Sequence, residues 1–215
     1  TGTGADSYVY GGSIMEIQVH YELAAVMFMI AATLVFFRQR HLRVYRSSLF
    51  FWLMVLGAVT AVLDVFCGIV TYHPVPVWLG ILVQSLFLIS SLVYSVNYSM
   101  YAMELLRRLD FVRKYRLFWC IPFVLGVIMV VATPFTGMLY RFDAQGVFYK
   151  NDWYYLVTAL SFVYLFAPLI LMHKVSFVSG RIKKWIIVLP AVTVTAKILQ
   201  YTLFPDFLFV YAVNS

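Results

Sequence analysis

Charge is scarce in this chain. Only 12% of its 215 residues are charged, and only nine are acidic. A soluble domain carries about a quarter charged residues, so a fold wetted on all sides is excluded. Cysteine is nearly absent. Cys67 and Cys120 lie in different apolar segments, which excludes a disulfide framework and leaves two separate thiols packed as small hydrophobes. Histidine is equally sparse. His20, His41, His73 and His173 sit in different segments, and no two share metal-ligand spacing, so no metal site is expected. No catalytic motif and no cofactor fingerprint is present. The net charge of +7 is distributed along the chain as membrane topology requires and does not point to nucleic acid.

Apolar residues, by contrast, make up 63% of the chain. A hydrocarbon core about 30 Å thick needs about 20 apolar residues per helix. Candidate spans fall at about 17–37, 49–71, 78–103, 117–139, 153–172 and 185–203, and a seventh starts near 207. The expected fold is all-α and integral to the membrane: a seven-helix bundle of six complete helices and the start of a seventh. Residues 1–14, "TGTGADSYVYGGSI", read as a flexible tail or a tag remnant before Met15. Residues 15–215 read as one transmembrane domain, cut within its seventh helix ahead of any output domain.

Basic residues set the orientation. Thirteen of the sixteen fall in three loops: Arg38, Arg40, Arg43 and Arg46; Arg107, Arg108, Arg113, Lys114 and Arg116; Lys174, Arg181, Lys183 and Lys184. The opposite side has Arg141 and Lys150. The expectation is an N-terminus outside and a C-terminus in the cytoplasm. Anionic lipid is the partner of those basic loops. Trp52, Trp78, Trp119, Trp153 and Trp185 sit near the expected membrane boundaries, as interfacial anchors do. Between the fourth and fifth spans, "LYRF" and "VFYK" flank "DAQG", which suggests a short outer β-hairpin acting as a lid, with a plain ordered loop as the alternative.

The stretch "TPFTGMLYRFDAQGVFYKNDWYY" (133–155) resembles the seven-helix sensor modules of bacterial signalling proteins. Their pattern there is a Pro–Phe–Thr helix exit, a hairpin of the form Phe/Leu–Tyr–x–x–Asp–x–x–Gly–x–Tyr, and an aromatic helix start. Pro134–Thr136, Leu139, Tyr140, Asp143 and Gly146 match it. "LPAVTVTAKILQYTLFP" (189–205) is similar to the family's sixth helix at Pro190, Gln200 and the Phe204–Pro205 turn. The similarity runs over about residues 15–215. Lys150–Asn151–Asp152 departs from the family's commoner basic–Gly–Pro, and Lys197 matches no signature of the family. The resemblance implies an input domain of the bacterial plasma membrane, with no enzyme activity of its own. In the family a GGDEF diguanylate cyclase, EAL or histidine-kinase domain follows, and homodimers through that output domain are one option.

Lys197 interrupts an apolar span, where a charge costs several kcal/mol at least. At 1.5 Å per residue, Lys197 lies about 20 Å above the inner face, Asp64 and Glu22 about 22 Å, and Gln84 about 21 Å. Helical spacing makes stripes of Gln18, Glu22 and Ala25; of Gly57, Thr60, Asp64, Cys67 and Thr71; of Gln84, Ser91, Ser95 and Ser99; and of Pro190, Thr193, Lys197 and Gln200. Intramembrane polar groups face the bundle interior or a water-filled cavity, so these stripes should converge. Two readings follow. Lys197 forms an intramembrane ion pair with Asp64, or with Glu22, that only holds helices together. Or Glu22, Asp64, Gln84, Lys197 and Gln200 line an outward pocket for a small polar or zwitterionic ligand. Pro122, Pro134, Pro168 and Pro190 are either static bends or hinges. A transporter of a polar solute is the rival class, although no repeat relates the first three helices to the last three. A retinal protein is disfavoured, because its lysine belongs in the last helix.

Overall fold

The structure, a computed structural model, describes residues 27, 48–107, 109–172, 180, 183–184, 186–188 and 190–191. Helix α1 spans Ser48–Tyr72, α2 Val77–Leu105, α3 Leu109–Lys114, α4 Arg116–Thr136 and α5 Tyr154–Met172. Strands β1 (Tyr140–Phe142) and β2 (Phe148–Lys150) lie between α4 and α5. Helices α1, α2, α4 and α5 are long and apolar enough to cross a membrane. They are the expected second to fifth spans. The expected first, sixth and seventh spans lie outside the described residues, apart from helical positions at 27, 180, 183–184, 186–188 and 190–191. The N-terminal tail lies outside them as well.

The burial pattern is that of a chain whose surroundings are apolar. On α1, Val59, Val62, Phe66 and Ile69 are exposed, while Thr60, Asp64 and Cys67 are buried. On α4, Ile121, Val124, Ile128, Val131 and Phe135 are exposed. Apolar side chains outside and polar ones inside suit hydrocarbon, where the backbone must also satisfy its own hydrogen bonds, as a helix does. Helix α2 is the hub and packs against α1, α5 and α4. Two core clusters form. One surrounds Tyr98, Met103, Leu106, Val112 and Leu165 at the basic, α3 end. The other surrounds Cys67, Leu92, Val130, Leu139 and Tyr140 at the hairpin end.

The structure departs from the sequence reading in two places. The fourth span was expected to run to Leu139, but α4 stops at Thr136. Gly137 takes φ 61°, and its N–H bonds back to the Thr133 carbonyl at 2.8 Å, closing the helix with a left-handed cap. The apolar run continues past the cap because Leu139 and Tyr140 are buried as the approach to the hairpin. Second, the basic stretch 104–116 is not all loop. Arg107 turns the chain at φ 53°, and α3 follows. Its Val112 anchors in the core cluster there. Asp110 in its first turn and Arg113 and Lys114 in its last complement the helix dipole.

The hairpin is antiparallel, pairing Tyr140 with Lys150, Arg141 with Tyr149 and Phe142 with Phe148. Asp143 Oδ1 accepts from the Gln145 N–H at 3.0 Å and the Val147 N–H at 2.8 Å, so its side chain shapes the turn. Gly146, at φ 81°, lies against the Val75 carbonyl, where a Cβ would collide. A Cβ on Gly80 would meet the Phe142 ring at 2.5 Å. The hairpin is therefore seated directly on the α1–α2 connection and the first turn of α2. The Lys150–Asn151–Asp152 departure acts as a clasp: the Asn151 N–H donates to the Leu139 carbonyl at 3.0 Å, and its Nδ2 donates to the Gly137 carbonyl.

Candidate functional site: a polar seam between two helices

Thr60, Asp64 and Cys67 lie at i, i+4 and i+7 on α1, so their side chains share one face. All three are buried. Two bridges join this face to α2. The Thr60 hydroxyl donates to the Leu56 carbonyl at 2.7 Å, which leaves the Ser90 hydroxyl to donate to Thr60 Oγ1 at 2.6 Å. Higher up, the Cys67 thiol donates to Gln84 Oε1 at 3.1 Å. Seven residues up α1 correspond to six down α2, as antiparallel helices require. Asp64, at 2% exposure, lies between the bridges in sequence. It therefore sits a turn or less from Gln84, about 4 Å nearer the basic end at 1.5 Å per residue.

The seam continues to the hairpin end. Gln84 Nε2 donates to the Tyr154 hydroxyl at 3.0 Å, at the first residue of α5. One residue along α2, Ser85 meets the Tyr140 hydroxyl at 2.7 Å. Tyr140 donates its own proton to the Ile81 carbonyl at 3.2 Å, so Ser85 is the donor to it. Burial pushes the Tyr140 phenol above its ordinary pKa; the Ser85 bond opposes this, and the Cys67 side chain adds to it. Beyond Tyr154, Lys150 Nζ stands 4.5 Å from the Tyr154 ring centroid and 4.4 Å from that of Tyr155. Lys150 is exposed as a residue, but its ammonium stands against the two rings, and burial there lowers its pKa.

Of the residues read from sequence as a ligand site, Asp64 and Gln84 are placed in this seam. Glu22, Lys197 and Gln200 lie outside the described residues, and so does the Asp64–Lys197 ion pair. Pro190 is buried in a helical position. Ser95 and Ser99 are buried on α2, as is Ser90, which the stripe had passed over for its half-buried neighbour Ser91. Tyr140 and Tyr154 were missed as site residues. Their signal, an aromatic-rich hairpin and helix start, is the same as that of an interfacial anchor. Among the described residues, no three His, Cys, Asp or Glu side chains gather as metal ligands would. No protein family, curated protein or solved structure matches this chain.

Proposed function

We propose that this chain is the membrane-embedded input domain of a bacterial signalling protein. It has seven helices, with its N-terminus outside and its C-terminus in the cytoplasm of a plasma-membrane protein. It binds a small polar ligand from the outer face and passes occupancy through its seventh helix to a cytoplasmic output enzyme, with a diguanylate cyclase the first candidate. The observation that carries this reading is Asp64: a buried acid in an apolar helix, flanked by two cross-helix bridges and lying beneath a seated hairpin. Ionisable groups inside a membrane are costly and mark sites of function. Glu22, Lys197 and Gln200, at similar depth by sequence, complete a pocket with both signs of charge. A ligand amine faces Asp64 or Glu22, and a ligand carboxylate faces Lys197.

The test is a double-mutant cycle on the full-length protein, with melting temperature and output activity as readouts. Lys197→Met alone leaves a buried acid uncompensated and is expected to cost about 3–5 kcal/mol of stability. Adding Asp64→Asn restores stability but not the response to ligand. Normal signalling by the double mutant would mean that the charges are only structural and would refute the pocket.

A further inference from the structure

We propose that the Tyr154–Tyr155 ring pair is a binding site for an external organic ammonium ion, a site that the protein's own Lys150 fills in this structure. The geometry is that of a cation clamp: one ammonium nitrogen lies 4.5 and 4.4 Å from two ring centroids. Both distances are well inside the range of about 6 Å over which the face of a ring attracts a cation. That attraction depends on charge and size, so a methylated or primary ammonium from solution satisfies it as the lysine does.

Three observations make Lys150 a replaceable occupant. It is the last residue of β2 and an exposed one, so its ammonium can leave for water without unpairing the strands. Burial works against its charge where it stands, which favours release. The clamp also sits at the N-terminus of α5, where the helix dipole disfavours a cation. An anion is not the better occupant, because the first amides of α5 are already taken. Tyr154, Tyr155 and Leu156 donate to the Asn151, Asp152 and Trp153 carbonyls at 3.0, 3.2 and 3.1 Å. Arg141 does not compete, since its guanidinium lies over Tyr149.

The clamp is joined to the seam. The Tyr154 hydroxyl accepts from Gln84, and Gln84 accepts from Cys67, one turn from Asp64. An ammonium that enters the clamp therefore touches the outermost member of the chain of contacts that ends beside the buried acid. This step names the ligand's cationic group for the proposed pocket, and its consequence for signalling rests on that reading. The binding itself does not.

The probe is tetramethylammonium, added to the detergent-solubilised chain after its lysines are converted to the ¹³C-dimethyl form, which keeps their charge. Lys150→Met identifies the Lys150 resonance by its loss. Ring currents are expected to shift that resonance upfield, and tetramethylammonium should return it to the position of a free lysine. Sodium at equal ionic strength and tert-butanol, the neutral isostere, should leave it in place. Lys150→Met should bind tetramethylammonium about tenfold more tightly, because the internal competitor is gone. Tyr155→Leu should lose that binding while keeping the Gln84–Tyr154 bond. A Lys150 resonance without a ring shift, one that saturating tetramethylammonium does not move, or equal displacement by the alcohol would each overturn the proposal. Ammonium binding that leaves output activity unchanged would refute only the sensor reading.

Discussion

The two ends of this bundle solve the same problem differently. Toward the hairpin end, side chains bond mainly to side chains on other elements, from Ser90–Thr60 at mid-bundle to Cys67–Gln84, Gln84–Tyr154 and Ser85–Tyr140, with Tyr140 also reaching the Ile81 carbonyl. At the basic end, side chains reach backbone. Asn97 Nδ2 donates to the Leu49 carbonyl at 3.1 Å, and the Tyr98 hydroxyl donates to the Ile186 carbonyl at 2.9 Å. Tyr164 of α5 does this most plainly. Its hydroxyl donates to the Trp119 carbonyl and accepts from the Phe123 N–H at 2.9 Å. Those two groups are the i and i+4 partners of one turn of α4, beside Pro122, where the ladder already lacks a donor. Bonds to backbone tie down position whatever the neighbouring side chains are. Bonds between side chains depend on the identity of both partners, so the hairpin end is the one that substitution or a ligand can rewire.

The largest predicted effect breaks the seat of the hairpin. Gly146→Val places a Cβ against the Val75 carbonyl at a backbone angle that β-branched residues avoid. The expected loss is about 3 kcal/mol or more, read as a lower melting temperature and as protease cleavage within 137–153. Gly137→Ala also sits at positive φ, but the nearest atom to its Cβ is Arg141 Cβ at 3.8 Å, so only the backbone term of about 1 kcal/mol applies. Equal losses from the two would mean that the hairpin is not held by the α1–α2 connection.

The next effect compares the two kinds of bond directly. Gln84→Leu takes from the Cys67 thiol and the Tyr154 hydroxyl the amide that joins them across three helices. About 1–3 kcal/mol is expected. Tyr164→Phe removes one hydroxyl, but the Phe123 N–H and the Trp119 carbonyl stand at helical spacing and can close on each other. The expected cost is smaller, about 0.5–1 kcal/mol. Amide exchange at Phe123 is the sharper readout, since a helical bond from its N–H to the Trp119 carbonyl keeps it slow. If Tyr164→Phe proves the more damaging change, the basic end is the more specific one and the comparison is inverted.

How much of this was legible in the sequence depends on where the information lies. The α1 stripe was readable because a helix in hydrocarbon has one cheap place for Thr60, Asp64 and Cys67, and that is inside. The hairpin was readable from Asp143 and Gly146, whose turn chemistry is local. The end of α4 was misplaced because Met138 and Leu139 are as apolar as the helix before them, and only the left-handed Gly137 marks the boundary. The choice of Ser90 over Ser91 depends on where α1 lies around α2, which no pattern within α2 encodes. Tyr154 and Tyr140 are in the same position. Their hydroxyls matter because the hairpin and the first turn of α5 pack on α2, at sequence separations of 55 and 70 residues.

The smallest predicted effect tests whether the hairpin end is sealed, and it depends on pH. Tyr140 is 1% exposed, and burial raises its pKa above the ordinary 10.0 of tyrosine. The folded state therefore holds the proton more tightly than the unfolded state. A group of this kind contributes stability that is fully present below pH 10.0 and is lost as pH rises through the raised folded value. Melting temperature should be flat from neutral pH to about pH 9 for this group and then fall more steeply in the wild type than in Tyr140→Phe, which has nothing to ionise. At neutral pH the wild type is the more stable, because Tyr140→Phe has lost its bonds to Ser85 and the Ile81 carbonyl, at about 1 kcal/mol. The two melting curves should therefore converge as the solution becomes alkaline. Parallel curves would mean that Tyr140 ionises as readily in the folded protein as in the unfolded chain, which requires water at its hydroxyl and an open hairpin end.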